Sequence, residues 1–129
     1  MYNQLLVAFG GAIGAVLRYQ ISMAMKAMLP SYPASGTLVV NVIGSLAVGY
    51  LLGISHDAKS VSDAVRLFFV IGILGGLTTF SSLAYETLSL TMTHPSGVLA
   101  GLSHLSANLV LGLGAVWVGA WIARGASVT

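Results

Sequence analysis

Apolar residues run along this chain in four long blocks, at about 5–28, 37–54, 64–92 and 97–123, separated by short polar breaks. A helix crosses the roughly 30 Å hydrocarbon core of a bilayer with about 20 residues, and each block is close to that length or beyond it. Pro30 and Pro33 close the first block. Residues 55–63 form the one clearly polar loop, and Pro95 stops the third helix in a tight turn at 93–96 before the fourth begins. The pattern predicts an all-α integral membrane protein, a single domain of four transmembrane helices over 1–129.

The third block departs from a plain crossing. As one straight helix its 64–92 span would reach about 43 Å at 1.5 Å per residue, and its centre reads GGLTTFSSL at 75–83. Glycine tolerates backbone angles that other residues resist, so a break at Gly75-Gly76 is expected. In hydrocarbon the freed backbone groups must find partners. Carbonyls ending the first half suit a cation such as Na+, and the N-terminus of the second half suits an anion. Thr78, Thr79, Ser81 and Ser82 can supply hydroxyl donors there, and the Phe80 ring has a positive edge that can face an anion. A kink whose hydroxyls cap only their own backbone accounts for the same residues. In either case a β-branched residue at Gly75 is expected to resist the turn and damage assembly.

Composition supports the membrane reading and removes other classes. Of 129 residues, 57% are hydrophobic and 6% charged, where a soluble domain carries about 25% charged residues. The mean hydropathy is +0.94. Without cysteine there are no disulfides, thiolate metal sites or thiol nucleophiles. The net charge of +2 comes from scattered residues with no basic cluster, so no nucleic-acid partner is expected. Residues 1–17 hold no Lys or Arg, which argues against a secretory leader. No Ser/His/Asp arrangement, carboxylate pair or metalloprotease pattern appears, so an enzyme is not expected. With four spans, Lys59, Arg66 and Arg124 fall on one side of the membrane and Lys26 and the deeper Arg18 on the other. Charge so nearly balanced permits insertion both ways up. An antiparallel homodimer, with one subunit each way, would follow from that.

Polar groups at membrane depth usually face protein or water. Thr37, Asn41, Gly44, Ser45 and Val48 share one face of the second span. Close packing with an interhelical Asn hydrogen bond explains that face, and so does an Asn41 amide that donates to a passing anion. On the fourth span His104 and Asn108 are four residues apart, with Gly101 and Gly112 on the same stripe. The stripe suits the lining of a water-filled vestibule, or a histidine satisfied within the packing. His56 and His94 fall in loops, so no histidine cluster forms for a metal. Arg18 and Glu86 are the charged residues closest to the bilayer interior. They can pair with each other, Arg18 can reach a headgroup, or Glu86 can serve as a proton-coupled carboxylate. Glycines four apart recur at Gly10 and Gly14, Gly49 and Gly53, Gly72 and Gly76, and Gly97 and Gly101, the spacing of close helix packing.

Three stretches resemble the Fluc family of fluoride channels, also called the CrcB family. GGAIGAVLRY at 10–19 is similar to the family's GGxxGAxxRY, NVIGSLAVG at 41–49 to NxxGxFxxG, and GILGGLTTFSSLAYE at 72–86 to GxxGGxTTFSTFxxE. The resemblance covers nearly the whole chain, with the motifs in order. It implies an antiparallel dual-topology homodimer in the bacterial inner membrane, with two fluoride pores. It also implies a structural Na+ at the dimer centre, held by the main-chain carbonyls of Gly75 and Thr78. Asn41 and Phe80 match pore residues, Thr79 and Ser81 match polar positions near the pore, and Arg18 matches the arginine of the first motif. The implied physiology is passive fluoride efflux, selective against chloride, that protects the cell from fluoride. Two positions depart from the pattern. Leu83 stands where the third motif has a second phenylalanine, and leucine offers no positive ring edge to the pore. Leu46 stands where the second motif often has phenylalanine.

Two other classes share parts of this outline. A small proton-coupled exporter of lipophilic cations also has four spans, but it needs a buried carboxylate in the first, and residues 1–28 contain neither Asp nor Glu. A non-conducting assembly subunit would use Asn41 and Phe80 for stability alone.

Overall fold

A computed structural model describes residues 1–54 and 62–126. Most of the polar loop at 55–63, including His56 and Lys59, lies outside the described residues. Helix α1 is Tyr2–Met28 and α2 is Ser35–Ile54. Helix α3 covers 63–77, α4 is Phe80–Thr93 and α5 is Gly97–Ala126. Four helical segments are long and apolar enough to cross a membrane, the third being α3 and α4 together. No strand occurs among the described residues.

The ends of the helices follow from local chemistry. Leu29 closes α1 at φ −127° and ψ 67°, because a residue that precedes proline is pushed away from helical angles. His94, before Pro95, closes α4 in the same way at ψ 142°. Gly97 then starts α5 at φ +45°, a backbone angle natural to glycine. Its N–H donates to the His94 carbonyl at 2.8 Å and seals the turn.

The third crossing is broken, but not at its glycines. Gly75 is helical, at φ −65° and ψ −36°, and α3 continues through Leu77. The extended residues are Thr78, at φ −78° and ψ 156°, and Thr79, at φ −154° and ψ 123°. Threonine is at home in extended backbone because its branched Cβ crowds a helix. This corrects the expectation for Gly75: a Cβ there would meet only the Val70 carbonyl of its own helix, at 3.7 Å. The excess length of the crossing has a second outlet. Arg66–Leu74 is wound as a π-helix, whose wider turns take up residues that an α-helix would spend on length.

The glycines instead make the seams between helices. In a bilayer helices associate through close packing rather than water exclusion, and small residues permit it. Along the α1–α3 seam, Gly10 and Gly14 lie against Phe68, Gly72, Ile73 and Gly76. A Cβ on Gly14 would run into the Ile73 carbonyl and stand 2.9 Å from the Leu77 nitrogen. Along α2 and α5 the arrangement is reciprocal, with Gly49 against the Val116 backbone and Gly119 against the Leu46 carbonyl. Gly101 of α5 packs on Thr87 and Thr91 of α4. At the centre Val40, Leu74 and Leu77 form a buried cluster with Ile21, Ala47, Val48 and Leu51 packed around it. Trp117 and Trp121 point outward, each 75% exposed, as lipid-facing or partner-facing side chains do.

These seams make a test. Gly14→Val is expected to destabilise the chain by more than the about 1–3 kcal/mol typical of overpacking, since the obstacle is backbone. Gly11→Ala, with nothing within 4 Å of the added Cβ, is expected to be neutral. Thermal unfolding in detergent would compare them, and equal melting temperatures would refute the seam.

Candidate functional site

The break at Thr78 and Thr79 exposes backbone groups at membrane depth. The last helical hydrogen bond of α3 runs from the Thr78 N–H to the Leu74 carbonyl at 3.0 Å, and the Thr78 hydroxyl donates to that same carbonyl at 2.9 Å. The Gly75, Gly76 and Leu77 carbonyls lie beyond this bond. Thr79 serves as the N-cap of α4, its Oγ1 accepting from the Ser82 N–H at 3.2 Å. The backbone of Thr79 itself is paired by a side chain. Its N–H donates to Asn41 Oδ1 at 2.9 Å, and Asn41 Nδ2 donates back to its carbonyl at 3.2 Å.

Asn41 therefore substitutes for a helical neighbour. Its amide has one donor left, which goes to Asn108 Oδ1 at 2.9 Å. Asn108 Nδ2 in turn donates to the His104 carbonyl one turn back, at 3.0 Å. Three elements, α2, the α3–α4 break and α5, are joined by two amide side chains. Beside this network runs a groove of about 400 Å³ lined by Asn41, Ser45, Thr79, Phe80, Leu83 and Asn108. Gly44 and Gly112 open its walls by lacking side chains. Phe80 stands at the rim, 74% exposed, while Leu83 is 3% exposed and supplies an apolar wall.

The residues singled out from the sequence divide into three places. Asn41, Thr79, Phe80, Leu83 and Asn108 meet at the groove. Ser81 is exposed, 3.3 Å from the Thr79 hydroxyl, and is not part of the lining. His104 is 1% exposed and also stands apart from the groove, in a second cluster. There its Nδ1 is 2.7 Å from the Tyr32 hydroxyl, and its Nε2 is 3.2 Å from Glu86 Oε2. Thr37 Oγ1 donates to the other carboxylate oxygen, Glu86 Oε1, at 2.8 Å. Among the described residues Glu86 makes its ion pair with His104, and Arg18, half-buried on α1, makes none with it. The Arg18–Glu86 pair read from the sequence is replaced by this one. Ser45, at the groove, belongs to the polar face of α2 read from the sequence, whereas Tyr32 sits in a proline-flanked loop with no local signal.

Comparison with known proteins agrees with the motifs. Residues 5–120 match the family described as CrcB-like protein, Camphor Resistance (CrcB). The chain belongs to the CrcB family. A relative from Roseiflexus sp. is 48% identical over 123 residues, covering 95% of this chain and 97% of its own length. Relatives from Thermotoga maritima and Hyphomonas neptunium are each 41% identical, over 124 and 128 residues, and cover 95% and 96% of this chain and 95% and 97% of their own lengths. All three bear the name fluoride-specific ion channel FluC. With four apolar crossings, this CrcB member is a multi-pass bacterial membrane protein. Its family is one of ion channels, not enzymes.

The amide network makes a prediction about stability. Asn41→Asp keeps an acceptor for the Thr79 N–H but removes both donors and points a carboxylate at two oxygens. It is expected to cost about 1–3 kcal/mol, the penalty of leaving buried polar groups unpaired. A melting temperature unchanged from the natural chain would show that Asn41 does not hold the break.

Proposed function

We propose that this protein is a fluoride-selective channel for passive fluoride efflux, working as an antiparallel homodimer with two pores. The observation that carries the reading is the groove at the helix break, where residues of three helices bring polar side chains and an aromatic ring to one largely apolar groove. A small anion that holds its water tightly must exchange that water for several donors at once. Asn108 spends one of its two amide hydrogens on the His104 carbonyl, which leaves the other for the groove. The Ser45 hydroxyl and the positive edge of the Phe80 ring add to it. Leu83, one turn on from Phe80 along α4, brings no ring, so one aromatic edge per chain serves here.

A second copy packed on the exposed Phe80 side would turn an open groove into a closed pore. The same assembly would give the carbonyls past the end of α3 a use. Oxygen donors without charge suit a hard cation such as Na+, and Gly75, with Thr78, presents carbonyls beyond the last helical hydrogen bond. Gly75 is exposed in the single chain. In this reading Na+ ties the two copies together and takes no part in moving fluoride.

Two measurements test these readings. In liposomes holding the purified protein, a fluoride electrode should record rapid fluoride loss, with no chloride loss from parallel vesicles. Phe80→Ile should slow it by about three- to tenfold, the equivalent of an aromatic contact of about 0.5–1.5 kcal/mol, while the dimer persists on cross-linking. If the natural chain is silent, Leu83→Phe separates an impaired channel, which it would restore, from a wrong assignment. Separately, replacing Na+ by a large organic cation should lower the melting temperature of the dimer, because a ligand bound only to the assembled form stabilises it by mass action. No change on Na+ removal would dispose of the cation site.

A further inference from the structure

The channel reading leaves Glu86, His104 and Tyr32 unused. They form a connected chain of titratable groups one helical turn from the groove, with His104 buried and Tyr32 and Glu86 half-buried. On α5, His104 is four residues before Asn108, and on α4, Glu86 is three residues after Leu83, spacings that put each on the same helix face as a groove residue. We propose that Tyr32, His104 and Glu86 form a proton-binding site at one end of the groove, and that its loading raises fluoride conductance as pH falls. The second half of this proposal rests on the channel reading.

The geometry supports a site that gains and loses one proton without repacking. His104 is 1% exposed, and a buried imidazole needs both ring nitrogens accounted for. At Nδ1 the Tyr32 hydroxyl, 2.7 Å away, can donate to a bare nitrogen or accept from a protonated one. At Nε2 the Glu86 Oε2 lies 3.2 Å away, and neither atom has another hydrogen-bond partner among the described residues. As an ion pair the contact is strongest when the imidazole is cationic. Burial and the charge of Glu86 both push the Tyr32 phenol above its usual value, so Tyr32 stays protonated and acts as relay rather than as a titrating group. Protons can arrive through Glu86, whose side chain is 25% exposed.

Few other charges bear on the site. From α2 it meets the neutral Thr37 hydroxyl. From the loop before α2 it meets Tyr32, and from α5 His104 with neutral Asn108 beyond it. From α4 it has Glu86 itself, whose ion-pair partner among the described residues is His104. Among the described residues no Lys or Arg pairs with Glu86. The net charge of the cluster is therefore set by its own protons. Loaded, imidazolium and carboxylate sum to zero. When the proton leaves Nε2, the imidazole is neutral and a full negative charge remains beside the route of an anion. Anion entry is opposed in that state, so conductance falls as pH rises.

The test uses the full chain in two ways. Fluoride efflux from liposomes is compared at about pH 6 and about pH 8.5, with protein-free liposomes at each pH to subtract leakage of undissociated acid. Efflux is expected to be roughly three- to tenfold faster at the lower pH, as a nearby unit charge would produce at moderate effective dielectric. His104→Gln and Glu86→Gln should each flatten the profile. In parallel, nitrogen NMR of histidine-labelled protein follows the ring of His104, assigned by its loss in His104→Gln. Its signal should titrate, and Glu86→Gln should move that titration to lower pH by removing the carboxylate that favours the cation. An unchanging His104 signal overturns the proton site. A pH profile that survives both substitutions, or a flat one above a titrating His104, overturns its coupling to conductance. A chain that carries no fluoride at any pH overturns the channel reading, and the NMR titration still decides whether the proton site exists.

Discussion

Two residues of extended backbone in the middle of a membrane crossing must be hydrogen-bonded by something other than their own helix. In lipid an unpaired N–H or C=O is too costly to leave. The Asn41 side chain meets that need for Thr79, with its oxygen on the N–H and its nitrogen on the carbonyl. The arrangement also fixes which way the amide points, because the Thr79 N–H requires an acceptor. Everything near the groove depends on it. With Asn41 so oriented, its remaining donor faces α5 and positions Asn108, and α4 can begin with Phe80 at the groove rim.

The close helix seams are what bring Asn41 within reach. A side-chain amide spans only a short distance, so α2 must lie near the break. Gly44 makes that possible, since it packs directly against the Thr78 side chain. On the other side, α3 is drawn against α1 by glycine facing glycine backbone, with Gly76 against the Gly11 carbonyl. The absence of side chains at these positions therefore does more than allow packing. It sets the distance over which a polar bridge across three helices is feasible.

Much of this was legible in the sequence, because the strongest signals were of the kinds a sequence carries. Apolar length gave the four crossings, and polar residues at helical spacing put Asn41 and Asn108 each on a polar stripe of its own helix. The exact site of the break was not legible from glycine alone. Gly75-Gly76 looks like the weak point by backbone freedom, but α1 packs over that segment and rewards its staying helical, while Asn41 rewards extension at Thr79. That competition is tertiary, and so is the pairing of Glu86. Charge suggested Arg18 as its partner, yet α1 packs on α3 and α2, and the helix that reaches Glu86 is α5, which carries His104. Tyr32 was invisible for the same reason, since nothing in a proline-flanked loop announces which buried nitrogen it will cap.

The two polar clusters divide the work in a way that one chain makes physically intelligible. The amide cluster carries no net charge, so it can hold a broken backbone at depth without a large desolvation cost. The Glu86–His104 cluster is titratable and stands one turn from the groove, with the Glu86 side chain 25% exposed. Had the carboxylate stood at Asn41 instead, it would have faced two oxygens and repelled any anion in the groove. In the proposed channel, neutral donors in the groove with titratable groups toward its end would let an anion exchange its water without being trapped by a fixed cation. The unfinished feature of the single chain is its outer wall: Phe80, Trp117 and Trp121 are each about three-quarters exposed. An aromatic edge can serve a desolvated anion only where water is excluded, so the proposed channel would need a second surface against Phe80.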